Sequence, residues 1–475
     1  MINFVTVDLI LLALFIIITS IFIYTGRKNL KQEGGLILYR TRWGIKLINF
    51  IGKEYQKTLK FLSYVSITLG YILMAGILFL IIQSVWLYFT SPIAKMIKAP
   101  PIAPLIPYFP QIFGLESYFP SFPFIYFIIS ILIVASVHEF SHGIFAKRYG
   151  IRIKSTGFAF LKYFPAIFGA FVEQDDKQMN KKTKFEQMSV LSAGVFANLI
   201  TAIIFYIILF WFFTLAFMSS GIVFNTYVYS VVNSTSITSI NGINISNPSY
   251  DNVLDNLKDN DTLNKIIADN QSYVITKKIF EEQKNDNGLA ILYSDSPAIN
   301  AQLGSVITEI NDVKIDGVTK LSLELDSYSP KDVIKIKTIE DGKTKIYNIT
   351  LAENPKNKSQ AYLGIGFYNT GAKGFTAKVL SLFPSYKKAN LYYEPRSEWS
   401  GFIKDLLWWI VVINLLVAFF NMLPLGILDG GRFFYLTIWK ITNSEKIAKW
   451  TFSFMTYFIL SLLLLMMVKW VFNFF

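Results

Sequence analysis

Long uncharged apolar runs constrain this chain more than any other feature of its sequence. Each is long enough to cross a hydrocarbon core of roughly 30 Å as a helix. The chain is 53% hydrophobic, with a mean hydropathy of +0.43. The runs lie at residues 9–25, 62–90, 121–146, 188–217, 403–424 and 450–474. These runs predict a polytopic α-helical membrane protein with six transmembrane helices.

The distribution of charge predicts the orientation of these helices. The net charge is +13, and residues 26–60, 147–187 and 432–450 together hold 22 Lys/Arg against 7 Asp/Glu. Residues 251–370 hold 14 Lys against 18 Asp/Glu. Because basic loops face the cytoplasm, we expect the 218–400 block and both termini to lie outside. A charge distribution of this kind reflects topology, so we expect no nucleic-acid partner.

The segments between the spans predict a modular organisation. Residues 1–90 form a two-span region with a basic loop, 91–120 form a proline-rich external loop, and 121–217 and 373–475 hold the remaining spans. The polar, turn-rich block between them alternates in the manner of strands. Its segment "GLAILYSDSPAINAQLGSVITEIND" closely resembles a PDZ domain of bacterial type, which implies an α+β fold over 286–372. Residues 218–285 carry a weaker echo of it, "SITSINGINI". They are interpreted as a degenerate copy.

One short motif suggests metal chemistry. The only two histidines of the chain, His138 and His142, lie four residues apart with Glu139 between them. Residues at this spacing share one face of a helix, so both imidazoles can bind one metal ion with the carboxylate beside it. The alternative is a hydrogen-bonded histidine pair inside a helical bundle. Ionisable groups inside a span are costly and usually functional, which favours the metal site.

A catalytic zinc site needs a third protein ligand, and the composition restricts its identity. The chain has no cysteine and no other histidine, so a carboxylate must supply it. Asp429 ends the uncharged run Leu406–Leu428. In the orientation above, its span runs in the same direction as the span of the histidines, and both reach a similar depth near the cytoplasmic side. The alternative is that Asp429-Gly430-Gly431 is only a helix-ending turn.

These motifs together resemble those of the site-2 protease family, which are intramembrane zinc metalloproteases. HEFSH (138–142) and "NMLPLGILDGG" (421–431) resemble its two signature motifs, and "SAGVFANL" (192–199) resembles a third. "GFAFLKYFPAIFGAFVE" (157–173) is similar to its membrane-associated β-hairpin. One departure is that the third motif usually has proline where Val195 or Phe196 stands. The resemblance implies one zinc ion, bound by His138, His142 and Asp429.

The resemblance also implies roles for three other side chains. Glu139 would act as the general base and proton donor. Asn421, freed by the helix breakers Pro424 and Gly426, would hydrogen-bond the substrate backbone. Asn198 would do the same, or else form an interhelical hydrogen bond. The hairpin would offer an edge strand to an unwound substrate.

The function expected from the sequence is a metalloendopeptidase that cleaves transmembrane segments of membrane proteins within the bilayer. High Ile, Lys, Asn and Phe content with no cysteine fits a prokaryote such as an archaeon, so we expect the protein in a prokaryotic cell membrane. Two other classes stay open: a non-catalytic scaffold whose PDZ-like ectodomain binds peptides, and a metal transporter. The intact Glu139 is unexpected in the scaffold, and the spans show no internal repeat of the kind that transporters favour.

Overall fold

The structure, a computed structural model of the 475-residue chain, describes most of its residues. The described residues are 4–26, 30–90, 101, 107, 109–110, 121–164, 167–258, 262–283, 288–340, 342–355, 357–367 and 385–474. Most of the proline-rich loop predicted at 91–120 lies outside them. The chain forms two compact units, Met1–Trp211 with Gly401–Phe475, and Phe212–Ser400.

Among the described residues, six helices are long and apolar enough to cross a membrane, in agreement with the prediction of six spans. Observed and predicted bounds differ by up to six residues. Charged or polar turns extend several of the helices beyond their apolar run. The helices are α1 (Phe4–Gly26), α3 (Gln56–Thr90), α4 (Phe124–Arg148), α6 (Lys184–Ala216), α11 (Ser400–Asn421) and α13 (Glu445–Phe474).

In the described part of the first unit, a four-stranded antiparallel sheet and three shorter helices accompany the long helices. The sheet follows the order β1-β2-β3-β4, and its two hairpins are more than a hundred residues apart in the chain. The strands are β1 (Leu30–Glu33), β2 (Leu36–Thr41), β3 (Ile153–Leu161) and β4 (Phe168–Gln174). The helices are α2 (Ile45–Glu54), α5 (Asp176–Asn180) and α12 (Asp429–Thr442).

The β3–β4 pair is the hairpin expected from the sequence, and β1–β2 is an addition to it. Leu36–Thr41 pair residue by residue with Leu161–Thr156, so β3 has a neighbour on both sides. This leaves β4 at one edge of the sheet. The loop that follows α1 is therefore part of the sheet that flanks α4.

The largest apolar core of the first unit surrounds the end of α4. It joins Ile48 of α2, Phe145 and Ala146 of α4, and Met188 of α6, all of them buried. Phe433 of α12 belongs to the same core. Residues from four segments distant in sequence thus fix the position of the last turns of α4.

Two six-stranded sheets, each with its own apolar core, build the second unit. The first sheet has the order β7-β12-β11-β10-β8-β9 and the second the order β16-β15-β13-β5-β20, with β14 attached to β13. The first comprises β7 (Tyr229–Asn233), β8 (Ile237–Ile240), β9 (Ile243–Asn244), β10 (Asn264–Ala268), β11 (Gln271–Ile275) and β12 (Leu289–Ser294). The second comprises β5 (Phe217–Val223), β13 (Val306–Ile310), β14 (Val313–Lys314), β15 (Val333–Glu340), β16 (Lys343–Thr350) and β20 (Leu391–Pro395).

Short helices and strand pairs also occur among the described residues of this unit. The helices are α7 (Tyr250–Asn256), α8 (Lys277–Glu282), α9 (Pro297–Asn300) and α10 (Val318–Leu325). The strands are β6 (Thr226–Tyr227), β17 (Ala352–Asn354), β18 (Asn357–Tyr362) and β19 (Ile365–Gly366).

The two sheets are nested in the chain instead of following one another. β5 precedes the first sheet and pairs with β13, which follows it. The strand Leu289–Ser294, which the sequence placed in the second module, pairs with β7 and β11 of the first sheet. The predicted boundary between residues 285 and 286 therefore falls inside the first sheet, because Ala290 and Leu292 are buried in that sheet's core.

Candidate metal centre

Helix α4 presents the histidine motif, and its first turn is held by a carboxylate from another helix. The residue before the helix, Pro123, makes no side-chain cap. Asp8 of α1 supplies one: its carboxylate oxygens accept hydrogen bonds from the backbone N–H groups of Phe124 at 2.5 Å and Ile125 at 2.9 Å. Such N–H groups have no partner within their own helix. In the sequence, Asp8 stands directly before the first apolar run, and nothing in its immediate surroundings indicates a partner near residue 124.

The DGG sequence places Asp429 by allowing two segments to approach closely. The chain leaves α11 at Asn421, turns, and starts α12 at Asp429. A Cβ atom at Gly430 would lie 2.3 Å from the carbonyl carbon of Met422, and one at Gly431 would lie 2.1 Å from the carbonyl oxygen of Leu425. Only glycine fits there. Asp429 therefore begins a helix, and the alternative of a mere helix-ending turn does not describe its position.

Three predicted ligands converge in the folded chain. Oδ2 of Asp429 lies 3.1 Å from Nε2 of His138 and 3.2 Å from Nε2 of His142. The two Nε2 atoms are 3.0 Å apart. Both histidines are buried. Among the described residues, these three side chains form a group that could hold a metal ion.

The far side of each imidazole also has a polar neighbour. Nδ1 of His142 lies 2.7 Å from the carbonyl oxygen of Val190, which can only accept, so Nδ1 carries the proton and the Nε2 lone pair faces the cluster. Nδ1 of His138 lies 3.0 Å from the amide of Asn198, whose Oδ1 is buried without a partner. With the Asn198 amide turned by 180°, Oδ1 accepts a hydrogen bond from Nδ1–H of His138, and the Nε2 lone pair of His138 faces the cluster.

This donor set fits zinc. Two imidazole nitrogens and one carboxylate oxygen are a recurrent catalytic zinc set, and ligands at roughly 2.0–2.1 Å from a tetrahedral ion lie about 3.3 Å from one another. The observed separations of 3.0–3.2 Å are close to that spacing. Hydrogen bonds to the outer imidazole nitrogens are the usual support of such ligands.

Helix α6 approaches the cluster through a glycine. A Cβ atom at Gly194 would lie 2.5 Å from Nε2 of His142 and 2.7 Å from Nε2 of His138. The helix starts after a capping box: the N–H of Thr183 donates to Glu186 at 2.9 Å, and the N–H of Glu186 donates back to Oγ1 of Thr183 at 3.3 Å. This local signal in the sequence fixes where the helix begins, and therefore which residues face the histidines.

Glu139 is fixed by the edge of the sheet. Its Oε2 accepts a hydrogen bond of 3.0 Å from the backbone N–H of Val172 in β4. That N–H points away from β3, on the side of β4 where no described residue adds a further strand. The carboxylate and the free edge of β4 are thus adjacent.

The two asparagines proposed for substrate binding occupy different positions. Nδ2 of Asn421 lies 3.4 Å from Nε2 of His138, at the end of α11. Asn198 is fully buried and bonded to His138. Its position favours the interhelical hydrogen bond over contact with substrate, and the role of Asn421 stays a prediction.

Comparison with known proteins identifies the class. The profile of peptidase family M50 matches residues 126–466, which is well over half of the chain and includes His138, Glu139, His142 and Asp429. The chain belongs to this family, the site-2 protease family, as its sequence motifs predicted. It is a metallopeptidase-family chain with six apolar helices, and thus an integral membrane protein.

Two relatives show how far the likeness extends. An uncharacterized protein of Methanocaldococcus jannaschii is 34% identical over 189 residues, which cover 39% of this chain and 46% of that protein. The alignment thus spans about half of the relative's length. A protein of Clostridium perfringens named "putative zinc metalloprotease" is 25% identical over 336 residues, or 68% of this chain and 85% of its own length.

Proposed function

We propose that this protein is an intramembrane zinc metalloprotease that cleaves transmembrane segments of other membrane proteins. The observation that carries the proposal is the convergence of His138, His142 and Asp429 within the helical unit, with Glu139 beside them on the same helix. The family match supports an enzyme over the scaffold and the transporter.

One zinc ion held by these three residues would polarise the scissile carbonyl and lower the pKa of a coordinated water to about 7. Glu139 would accept the proton of the attacking water at its carboxylate and pass it to the nitrogen of the leaving amine. Its hydrogen bond to Val172 holds the carboxylate in one orientation before substrate arrives.

The edge of β4 suggests how the substrate is presented. A transmembrane helix hides its carbonyls in its own hydrogen bonds, so the segment to be cut must first become extended. Alternate residues of an antiparallel strand direct their N–H and C=O groups to the same side, so Ala170 shares the free edge with Val172. An extended substrate strand would pair there and pass beside Glu139.

We also propose an orientation and a role for the polar unit. By the positive-inside rule, the metal centre lies towards the cytoplasmic side of a prokaryotic cell membrane, and Phe212–Ser400 lies outside with both termini. In that setting the PDZ-like region would select substrates by binding their exposed ends.

The direct test of the role of Glu139 is the variant Glu139→Gln. The amide cannot accept the proton but leaves all three proposed ligands in place, so zinc content should match the wild type while cleavage of a membrane substrate is lost. The matched control is Glu54→Gln, at the exposed end of α2, which should keep both. Zinc is measured by elemental analysis. Cleavage by Glu139→Gln above a few per cent of wild type would reject the assignment.

A further inference from the structure

Arg432 carries a charge that its position on α12 does not favour. It lies three residues after Asp429, close to the N-terminus of that helix, where the aligned peptide dipoles disfavour a cation. Its side chain is partly buried, and none of the ion pairs among the described residues involves it. A residue that breaks a local rule in this way is expected where its side chain has a specific task.

The guanidinium binds two neutral side chains from two other elements. Nη2 of Arg432 donates to Oδ1 of Asn180 at 2.7 Å and to Oε1 of Gln187 at 2.9 Å. Asn180 is the last residue of α5, and Gln187 lies in the first turns of α6. Because arginine only donates, both amides turn their oxygen towards it. Nε2 of Gln187 donates in turn to the carbonyl oxygen of Lys182 at 2.9 Å, so this buried amide has one orientation.

The segment of α6 that Arg432 binds also contacts the imidazoles. Val190 follows Gln187 by three residues and Gly194 follows it by seven, so all three lie along one side of the helix. The carbonyl oxygen of Val190 accepts from His142, and Gly194 faces both rings. Arg432 therefore binds α6 on the side that meets the histidines.

Asp429 stands at the corresponding place on α12. It precedes Arg432 by three residues, so the two side chains are neighbours on one face of the helix. The glycines that follow Asp429 fix how closely this turn approaches α11, whereas the carboxylate must meet imidazoles that contact α6. Further hydrogen bonds between α12 and α6, at Thr437 and Trp439, lie two or more turns along the helix. The contact of Arg432 with α6 is thus the one close to the ligand.

We propose that Arg432 is a positioning residue of the metal centre. By joining the first turns of α12 to α5 and α6, it holds the carboxylate of Asp429 against the two histidines. Arginine suits this task because its planar fork directs its donors rigidly, whereas a lysine ammonium sits on a flexible stem. The inference rests on the metal centre of the proposed function and is independent of which bond the enzyme cleaves.

The first test compares the zinc affinity of full-length variants in detergent, measured by competition with a chelator. Arg432→Met removes the donors at similar side-chain length and should weaken zinc binding by roughly 10-fold, within the range for residues that support metal ligands. Arg432→Lys should recover part of this loss. Arg396→Met, exposed in the other unit, is the control. Wild-type zinc affinity in folded Arg432→Met would overturn the proposal.

A milder pair of variants keeps the test decisive if Arg432→Met does not fold. Asn180 is exposed at the end of α5, so Asn180→Ala removes one acceptor without opening the core. It should weaken zinc binding, whereas Asn180→Asp offers a charged acceptor to the guanidinium and should retain or tighten it. Equal zinc affinity in these two variants would contradict the inference.

Cobalt(II) bound in place of zinc reports the geometry of the ligands, which a general loss of stability would not change. Its visible absorption bands should shift or weaken in Arg432→Met and stay unchanged in Arg396→Met. Bands in Arg432→Met identical to those of the wild type would mean that the ligands keep their arrangement without the guanidinium, which overturns the proposal. A wild-type chain that binds neither ion would reject the metal centre itself, and this inference with it, so the two failures are distinguishable.

Discussion

Gly194 shows how much a single residue can decide in this molecule. Its Cα faces the two imidazoles so closely that a methyl group would lie within 2.7 Å of both Nε2 atoms. The methyl group would clash with imidazole rings that are hydrogen-bonded to Val190 and Asn198, so the rings have little freedom to move aside. The space over the cluster therefore depends on the lack of a side chain.

Gly194→Ala should disturb the metal centre without unfolding the helix that carries it, since alanine is the best helix former. We expect zinc affinity to fall by roughly 10- to 100-fold, the range found when the support of metal ligands is altered. Competition with a chelator measures it. Gly401→Ala is the control, because a Cβ there meets nothing within 4 Å. Equal zinc affinity in the two variants would show that the cluster can shift to accept a methyl group.

The residues of the centre differ in how far the sequence reveals them. His138, His142 and Asp429 follow from residue type, spacing and the exclusion of other ligands. Gly194 and Asn198 are indicated only by the resemblance of residues 192–199 to a family motif. A glycine that allows close approach and an asparagine that hydrogen-bonds an imidazole produce no periodic pattern in the sequence. Whether the asparagine faces substrate or histidine depends on packing, which the sequence does not encode locally.

At the scale of elements, α4 depends on a partner for its first turn. Asp8 is buried in the first apolar helix and accepts from two N–H groups at the start of α4. An unpaired buried carboxylate inside a span would be costly, and unpaired N–H groups would be too. The pairing satisfies both and joins α1 to the helix of the metal ligands.

Asp8→Ala should lower the stability of the protein by about 1–3 kcal/mol, the cost of an uncapped helix with unsatisfied buried N–H groups. Asp8→Asn should lose less, because its amide oxygen still accepts. The apparent midpoint of thermal unfolding in detergent is the measurement, and Thr6→Ala, exposed on the same helix, is the control. Identical midpoints for Asp8→Ala and Thr6→Ala would show that the contact does not support α4.

The four-stranded sheet of the first unit contains one hairpin that the sequence predicts and one that it does not. The β3–β4 hairpin is expected from the resemblance of residues 157–173 to the hairpin of the family, and its two strands are neighbours in the chain. The β1–β2 hairpin joins it through pairs such as Thr41 with Thr156, 115 residues apart. Long-range pairing of this kind depends on where the intervening helices lie.

At the scale of the molecule, the polar unit is an insertion with closely spaced ends. The N–H of Arg396 donates to the carbonyl oxygen of Ala216 at 2.9 Å, and Phe217 pairs with Pro395. All three proposed zinc ligands belong to the other unit. Removal of the insertion therefore need not disturb the ligands or the chain on either side.

A deletion of residues 217–395, closed by a short Gly/Ser linker, should keep the zinc content of the wild type. If the insertion selects substrates, the deletion should raise the cleavage of a substrate with a bulky external domain relative to one without it. Both substrates are compared in wild type and deletion. Loss of zinc from the folded deletion would place the insertion in the catalytic architecture, and an unchanged preference would remove its role as a filter.

The nesting of the two sheets shows why the internal order of this insertion escaped sequence analysis. The repeated pattern suggested two consecutive modules, and the repeat does occupy strands β8 and β13 of different sheets. β5 and β20 are neighbours at one side of the second sheet. They lie at opposite ends of the insertion in the chain, and their sequences do not resemble each other. Only the pairing itself shows that they belong to one sheet.

The central claim is that the bond cut lies within the membrane-spanning part of a substrate. The most direct measurement is mass spectrometry of the products of a purified single-span substrate, co-reconstituted with the enzyme in vesicles. We expect one main cut inside the apolar segment, abolished by Glu139→Gln and by removal of zinc with a chelator. A cut confined to the polar flanks of the substrate, or one that persists in Glu139→Gln, would contradict the claim.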